Sequence, residues 1–128
     1  MRQEYYFRVI ILAKRTLYKK LKVLILGYSS LVKRKIIDVL KKKNIKFCVA
    51  SISSKKKEKK SYNWFRNYDE GLNHSNASLV YISLPNSYHY YWAKKALEKG
   101  YHVIVDKPIT ENLKQAKNLI KIAKKKKD

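Results

Sequence analysis

Four short runs of almost uninterrupted apolar residues constrain the fold of this chain more than any other feature. They are KVLILG (Lys22–Gly27), IKFCVASI (Ile45–Ile52), SLVYISL (Ser78–Leu84) and HVIV (His102–Val105). A strand with one solvent-exposed face alternates apolar and polar residues, whereas a strand buried on both faces is apolar throughout. The four runs therefore predict strands of a sheet that is covered on both sides.

Segments with helical periodicity separate these strands. Three of them are predicted helices: Leu31–Lys43, Ser87–Gly100 and Thr110–Lys125. The 3.6-residue period predicts their buried faces to be Val32, Ile36, Val39 and Leu40, then Trp92, Ala96 and Leu97, and last Leu113, Ala116, Ile120 and Ala123. We expect Ser87 and Thr110 to cap the second and third helices, and Gly100 to end the second. The aromatic stretch Ser61–Leu72 is interpreted as a short strand and a helical turn.

The order of these elements, β-α-β-(α)-β-α-β-α, predicts an α/β fold. Its sheet is expected to be doubly wound, mostly parallel and of the Rossmann type, with helices on both faces. Such sheets bind ligands beyond the carboxyl ends of their strands. Gly27, the stretch Leu84–Ser87 and the triplet Asp106-Lys107-Pro108 all follow predicted strands. We therefore expect three loops to meet at one edge of the sheet.

The composition is strongly basic. The chain has 128 residues, which suits one domain, and its 31 lysines and arginines against 9 acidic residues give a formal charge of +22. Such a charge favours loose contact with polyanions. Lysines are spread along the whole chain and outnumber arginines, so solvated helix faces and a basic tail explain the charge better than a specific nucleic-acid site.

Metal and membrane sites are not expected. Cys48 is the one cysteine, and His74, His89 and His102 lack the spacing of metal ligands. No stretch approaches the roughly 20 apolar residues of a membrane span, and no secretory signal is recognisable. We therefore expect a cytoplasmic protein.

Residues 1–21 differ in character from residues 22–128, which form the predicted Rossmann-type domain. They make a basic, aromatic extension that includes Tyr5, Phe7 and Val9. Three interpretations stay open: part of it is an amphipathic helix on the body or on an acidic surface, it is frayed, or it is an accident of the start site.

The first βα turn, GYSSLVKRK (Gly27–Lys35), corresponds to the place of a dinucleotide fingerprint, G-x-G-x-x-G. Gly27 is retained, while Ser29 and Val32 stand at the second and third glycine positions. A hydroxyl of Ser29 or Ser30 could donate to phosphate at the helix N-terminus. An ordinary βα loop is the alternative.

The end of the second predicted strand lacks the acidic residue that usually binds the ribose hydroxyls. Its sequence instead brings Ser51, Ser53 and Ser54 before Lys55 and Lys56. Hydroxyls and ammonium groups suit a 2′-phosphate better than a free 2′-hydroxyl. If a dinucleotide binds, this pattern favours NADP over NAD.

The second half of the chain carries a more specific pattern. VYISLPNSYHYYWAKKALEKGYHVIVDKPITENLKQAKNLIKIA (Val80–Ala123) has a strand leading into PN, a histidine soon after, ALEKGYHV, and an acid-Lys-Pro triplet. This combination resembles the N-terminal domain of the Gfo/Idh/MocA oxidoreductase family, and the resemblance covers about Lys22 to Lys125. It implies a Rossmann domain that binds NAD or NADP and hydride transfer on sugars, nucleotide sugars, inositols or similar polyols.

The resemblance also implies roles for individual residues. Lys107 matches the lysine near nicotinamide and substrate, taken as catalytic or as a positioning residue, with Asp106 as its charged neighbour in support. The implied cofactor-binding residues, together with those at the second strand, are Gly27, Ser29, Ser30, Ser51, Ser53, Lys55, Leu84, Pro85, Asn86, His89, Lys107 and Pro108. Pro108 restricts Lys107 to an extended conformation and so helps to aim it.

The family's substrate domain has no counterpart before Asp128. The resemblance therefore implies a truncated oxidoreductase domain that is not active without a partner chain carrying the substrate domain. Two alternatives stay open: a degenerate nucleotide-binding protein without turnover, and a basic polyanion-binding protein that reuses the fold.

Overall fold

The described residues form a six-stranded sheet at their centre. The computed structural model describes residues 9–12, by their backbone only, together with residues 21–52 and 63–126. The strands are β1 (Val9–Leu12), β2 (Lys22–Leu26), β3 (Lys46–Ala50), β4 (Asn63–Phe65), β5 (Leu79–Ile82) and β6 (His102–Asp106). Their order across the sheet is β1-β6-β5-β2-β3-β4.

The strands β4-β3-β2-β5-β6 pair in parallel, and β1 lies antiparallel on the β6 edge. The chain starts this parallel sheet at β2, moves outward to β3 and β4, and then returns to the other side of β2 for β5 and β6. The point between β2 and β5 is where the winding reverses, which is the usual ligand crevice of such sheets. The doubly wound, mostly parallel fold predicted from the sequence is confirmed.

Helices connect the strands and cover both faces of the sheet. A π-helical stretch (Val32–Ile36) continues directly into α1 (Ile37–Lys42), a 3-10 turn (Asn86–Tyr88) precedes α3 (His89–Glu98), and the remaining helices are α2 (Tyr68–His74) and α4 (Leu113–Lys126). None of the helices in the described part of the chain is long and apolar enough to cross a membrane.

Two apolar cores flank the sheet because successive side chains of each strand point to opposite faces. The core beneath α2, α3 and α4 includes Leu24, Leu26, Ala50, Val80, Ile82, Val103 and Val105. The core on the other face includes Val23, Ile25, Val49, Leu79 and Tyr81, together with Val32, Ile37 and Leu40 from the first helical segment. The central strands are thus buried on both sides, as their uninterrupted apolar runs predict.

The first helical segment departs from its predicted face. Ile37 is buried in place of Ile36, and Val39 is 51% exposed. The π-helical stretch Val32–Ile36 explains the shift, because its wider turn inserts about one extra residue before the next residue returns to the same face. The predicted inward position of Val39 is therefore wrong.

The helix caps also differ from the prediction. Asn112, and not Thr110, caps α4, because its side-chain oxygen accepts a hydrogen bond from Gln115 N–H at 2.9 Å. Ser87 lies within the 3-10 turn and does not cap α3. In α4, Leu119 is fully buried, while Leu113 and Ile120, predicted inward, are 68% and 43% exposed.

The N-terminal segment contributes β1. Val9 pairs with Asp106 and Leu12 with Val103, so this strand extends the sheet at β6. Val9–Leu12 is therefore a strand and not part of an amphipathic helix, while the rest of residues 1–20 lies outside the described residues.

Candidate functional site

Three loops leave the sheet at the carboxyl ends of β2, β5 and β6, at the point where the winding reverses. They are Gly27–Ser29, Ser83–Pro85 and the segment that begins at Lys107. A side-chain hydrogen bond connects the first loop to the second, and the His89 ring contacts both the second loop and the third. The three loops therefore meet at one edge of the sheet, as the sequence predicts.

Gly27 fits its position for reasons of packing and backbone conformation. Its φ is +103°, and a Cβ atom there would lie 2.3 Å from the carbonyl oxygen of Ser83. Its N–H donates to Ala50 O at 2.9 Å, and Ser83 N–H donates to Leu26 O at 2.9 Å. The loop after β2 thus lies directly against the loop after β5, in a space that only glycine fits.

Ser29 connects the same two loops through its side chain. Its hydroxyl lies 2.8 Å from the hydroxyl of Ser83 and accepts a hydrogen bond from Val32 N–H at 3.2 Å. The serine at the second fingerprint position therefore satisfies one N–H at the start of the helix. The neighbouring Ser30 is exposed, so its hydroxyl is the more accessible of the two to a ligand.

An aromatic and cationic cluster lies beside the first loop. The rings of Tyr28 and Trp64 meet edge to face with centroids 4.8 Å apart, and Lys33 Nζ lies 4.7 Å from the centre of the Tyr28 ring. The sequence analysis did not find this cluster. Trp64 occurs in a strand of three residues, too short for the pattern to reveal its partner.

The end of β3 is only partly described. Ser51 is 5% exposed, and its N–H donates to Phe65 O at 3.1 Å, whereas the next residue, Ile52, is 72% exposed. The predicted cofactor residues Ser53 and Lys55 lie outside the described residues.

The loop after β5 presents Pro85 and Asn86 to solvent, while Leu84 is partly buried. His89, at the start of α3, is 2% exposed. Its Nδ1 lies 2.7 Å from Pro108 O and its Nε2 lies 2.8 Å from Leu84 O. The histidine therefore lies behind both loops, between the second and the third.

The end of β6 separates the members of its charged triplet. The carboxylate of Asp106 accepts a hydrogen bond from the Tyr81 hydroxyl at 3.3 Å. Lys107 is exposed, and the Lys107–Pro108 peptide bond is cis. Within the described residues Lys107 forms no ion pair, so the Asp106–Lys107 charge pair expected from the sequence is not formed. Successive residues at a strand end point to opposite sides, which explains the separation.

The thiol of Cys48 lies in the core on the α2, α3 and α4 side of the sheet. Burial raises the pKa of the Cys48 thiol above its usual value, although the positive charge of Lys22 opposes the effect. Among the described residues, no three His, Cys, Asp or Glu side chains are grouped so that they could hold a metal ion. Lys107, which is exposed at this edge, is one candidate reactive group among the described residues.

Curated relatives match parts of the chain. The Escherichia coli oxidoreductase YdgJ is 49% identical over 53 residues, which is 41% of this chain and 15% of YdgJ. D-xylose 1-dehydrogenase (NADP⁺) of Hypocrea jecorina is 35% identical over 63 residues, which is 49% of this chain and 16% of that enzyme. The aligned regions therefore span less than a fifth of these relatives.

Solved structures match more of the chain. The crystal structure of the Escherichia coli oxidoreductase YhhX superimposes with a TM-score of 0.74 at 29% identity, and the match covers 84% of this chain and 33% of YhhX. The family model described as an oxidoreductase family with an NAD-binding Rossmann fold matches residues 21–128. This chain thus belongs to the Gfo/Idh/MocA oxidoreductase family and contains its NAD-binding Rossmann fold.

Proposed function

We propose that this chain binds NADP in preference to NAD and serves as the cofactor-binding part of an oxidoreductase. The reaction is hydride transfer to or from a sugar, a nucleotide sugar or a polyol. The observation that carries the proposal is the convergence of three loops at the carboxyl edge, joined by the Ser29–Ser83 and His89 hydrogen bonds. Such an edge, at the reversal of the winding, is where dinucleotides bind in this class of sheet.

Each half of the edge suits one half of the cofactor. The N–H groups at the start of the first helical segment, with Ser29 and Ser30, would bind the pyrophosphate. Leu84, Pro85 and Asn86 would line the nicotinamide half, and Lys107 and Pro108 would lie beside the reacting carbon. The bound cofactor would supply or accept the hydride.

Lys107 is the proposed catalytic residue. Its ammonium group is exposed and forms no ion pair with a described residue, so its hydrogens can be donated to a substrate oxygen. In reduction, that ammonium would stabilise or protonate the developing alkoxide, and in oxidation its neutral amine would accept the hydroxyl proton. Asp106, held by Tyr81, would support this segment from the opposite side of the strand.

The preference for NADP rests on the sequence at the end of β3. No acidic side chain follows the strand before Glu58, while Ser51, Ser53 and Lys55 offer hydroxyls and a positive charge to a 2′-phosphate. The D-xylose dehydrogenase relative bears NADP⁺ in its name, in agreement with this preference and with a sugar as substrate.

Catalysis is proposed to require a substrate-binding region that the 128 residues do not supply. The match to YhhX covers 33% of that protein, and the Rossmann fold accounts for nearly the whole of the present chain. The proposed partner of these residues is a substrate domain of the kind that the family carries. The chain alone, given NADP and a panel of sugars and polyols, should form no NADPH. Turnover that disappears in Lys107→Met would contradict this part of the proposal.

Cofactor titration tests the binding function directly. Trp64 lies 4.8 Å from the Tyr28 ring in the first loop, so energy transfer from tryptophan to reduced nicotinamide should report occupancy. We expect saturable binding of NADPH, weaker binding of NADH, and a loss of NADPH affinity of about tenfold in the double variant Lys55→Glu/Lys56→Glu, from lost charge-assisted hydrogen bonds.

A matched control carries the same change of charge elsewhere. In Lys124→Glu/Lys125→Glu the substitutions lie in the last turns of α4, which begins after the third loop and runs about 20 Å away from it. This variant should keep its NADPH affinity within about twofold, because screening weakens interactions at that distance. If neither nucleotide binds and DNA binds with a steep dependence on salt, the polyanion-binding alternative replaces the proposal.

A further inference from the structure

His89 is a buried polar side chain whose ring touches two different loops. The residue is 2% exposed. Its Nδ1 lies 2.7 Å from the carbonyl oxygen of Pro108, and its Nε2 lies 2.8 Å from the carbonyl oxygen of Leu84. These distances are those of direct hydrogen bonds.

Both hydrogen-bond partners of the His89 ring are carbonyl oxygens, and this determines how many N–H groups the ring needs. A carbonyl oxygen only accepts hydrogen bonds, so each ring nitrogen of His89 has to donate. A neutral imidazole has one N–H and would turn a nitrogen lone pair towards the other carbonyl oxygen. Both contacts are satisfied together by the imidazolium, which donates a charge-assisted hydrogen bond from each nitrogen.

The two carbonyl groups belong to different parts of the site. Leu84 lies within the loop that would line the nicotinamide half, and Pro108 directly follows Lys107. His89 itself is the first residue of α3, a ten-residue helix whose Ala93, Ala96 and Leu97 are buried. A rigid helix therefore holds, through one ring, the backbones of both loops.

We propose that His89 is a positioning residue: as an imidazolium bridging Leu84 O and Pro108 O, it fixes Lys107 relative to the cofactor-lining loop. This role rests on the proposed function, because it matters only if the loop after β5 binds a dinucleotide. His89 is 2% exposed and each of its ring nitrogens contacts a carbonyl oxygen, so the proposed role does not require it to touch the cofactor. It acts through the two loops, so that occupation of one is transmitted to the other.

The ring can be observed directly in the free chain. In ¹⁵N-histidine-labelled protein at neutral pH, we expect His89 to give two ring N–H signals, both exchanging slowly with water because the ring is buried. A single ring N–H would overturn the imidazolium bridge. This measurement needs no cofactor, so its outcome is independent of whether the proposed function is correct.

Coupling between the loops requires a second measurement, with NADPH bound. In the wild-type chain, saturating NADPH should slow amide hydrogen exchange of residues 106–110 by about fivefold, as expected when a hydrogen-bonded bridge resists opening. In His89→Gln, whose single amide nitrogen cannot reach both carbonyls, the slowing should fall below about twofold even at saturating NADPH. The exposed His74 provides the matched control, and His74→Gln should behave as wild type.

The outcomes separate the two ideas. Equal slowing in wild type and His89→Gln would overturn the positioning role while leaving cofactor binding intact. A wild-type chain that binds neither NADPH nor NADH would overturn the proposed function, and the positioning role with it, whatever the ring spectrum. If His89→Gln does not fold, wild-type exchange decides: no slowing at residues 106–110 upon saturation would overturn the role.

Discussion

The two halves of the carboxyl edge are built differently. The β2–β3 half, comprising the loop after β2 and the end of β3, has lost two of the three fingerprint glycines. Its surviving Gly27 and its Ser29 both contact Ser83. The β5–β6 half, comprising the loops after β5 and β6, keeps the family-like pattern and is joined by His89.

The difference separates what the fold needs from what a ligand needs. Gly27 is required where it stands because a Cβ would collide with Ser83 O, whether or not a dinucleotide binds. Ser29 is accommodated because its hydroxyl bonds to Ser83 and to Val32 N–H. Lys107, by contrast, is exposed and unpaired among the described residues. Packing explains the first two, so the stronger indication of function comes from the β5–β6 half.

Substitution of Gly27 should have the largest effect on this comparison. Gly27→Ala adds a methyl group 2.3 Å from Ser83 O at a φ of +103°. Steric strain and a disfavoured backbone together should lower the free energy of unfolding by about 3 kcal/mol. Urea unfolding followed by tryptophan fluorescence measures the change.

Gly100→Ala separates the cost of a disfavoured backbone conformation from the cost of a steric clash. Gly100 also has a positive φ, +94°, but a Cβ there would have no atom within 4 Å. Its substitution should therefore cost only the backbone term, about 1 kcal/mol. Equal losses in the two variants would mean that contact with Ser83 does not explain the retained glycine.

An intermediate effect is expected for the link between the two serines. A double-mutant cycle with Ser29→Ala and Ser83→Ala should give a coupling free energy of about 1 kcal/mol, since their hydroxyls are 2.8 Å apart. Ser30→Ala, at an exposed neighbour, should change stability by less than about 0.5 kcal/mol. Additive effects of the two substitutions would show that this hydrogen bond does not couple the β2–β3 half to the loop after β5.

Much of this fold could be read from the sequence because its strands are buried on both faces. Uninterrupted apolar runs locate β2, β3, β5 and β6, and their alternation with helices fixes a parallel, doubly wound sheet. Helix faces were less predictable. The π-helical stretch before Ile37 shifts the buried face by one residue, and no periodicity marks it in advance. Asn112 and Thr110 are both good capping residues, so only the geometry chooses between them.

The site was predictable in its loops but not in its contacts. The ends of the predicted strands were sufficient to place Lys107 and Pro85–Asn86 in loops at the carboxyl edge. The partner of Asp106 could not be predicted, since it depends on which face of β6 the residue occupies and on Tyr81 of the next strand lying opposite. Ser83 was overlooked for a similar reason: its importance comes from lying against Gly27, which is 56 positions away in the sequence.

The smallest effect concerns the core beneath the β2–β3 half. Burial raises the pKa of Cys48 above the ordinary 9.0, so the unfolded chain loses the thiol proton at a lower pH than the folded chain. Between those two pKa values the unfolded state binds fewer protons, and stability falls as the pH rises.

From pH 8 to 9.5 this thiol should lower the free energy of unfolding by under about 1 kcal/mol. Cys48→Ala should lack this part of the slope while sharing every other titration, so unfolding of both proteins across that range isolates it. Parallel pH profiles of the two proteins would show that ionisation of the Cys48 thiol does not affect the stability of the core beneath the β2–β3 half.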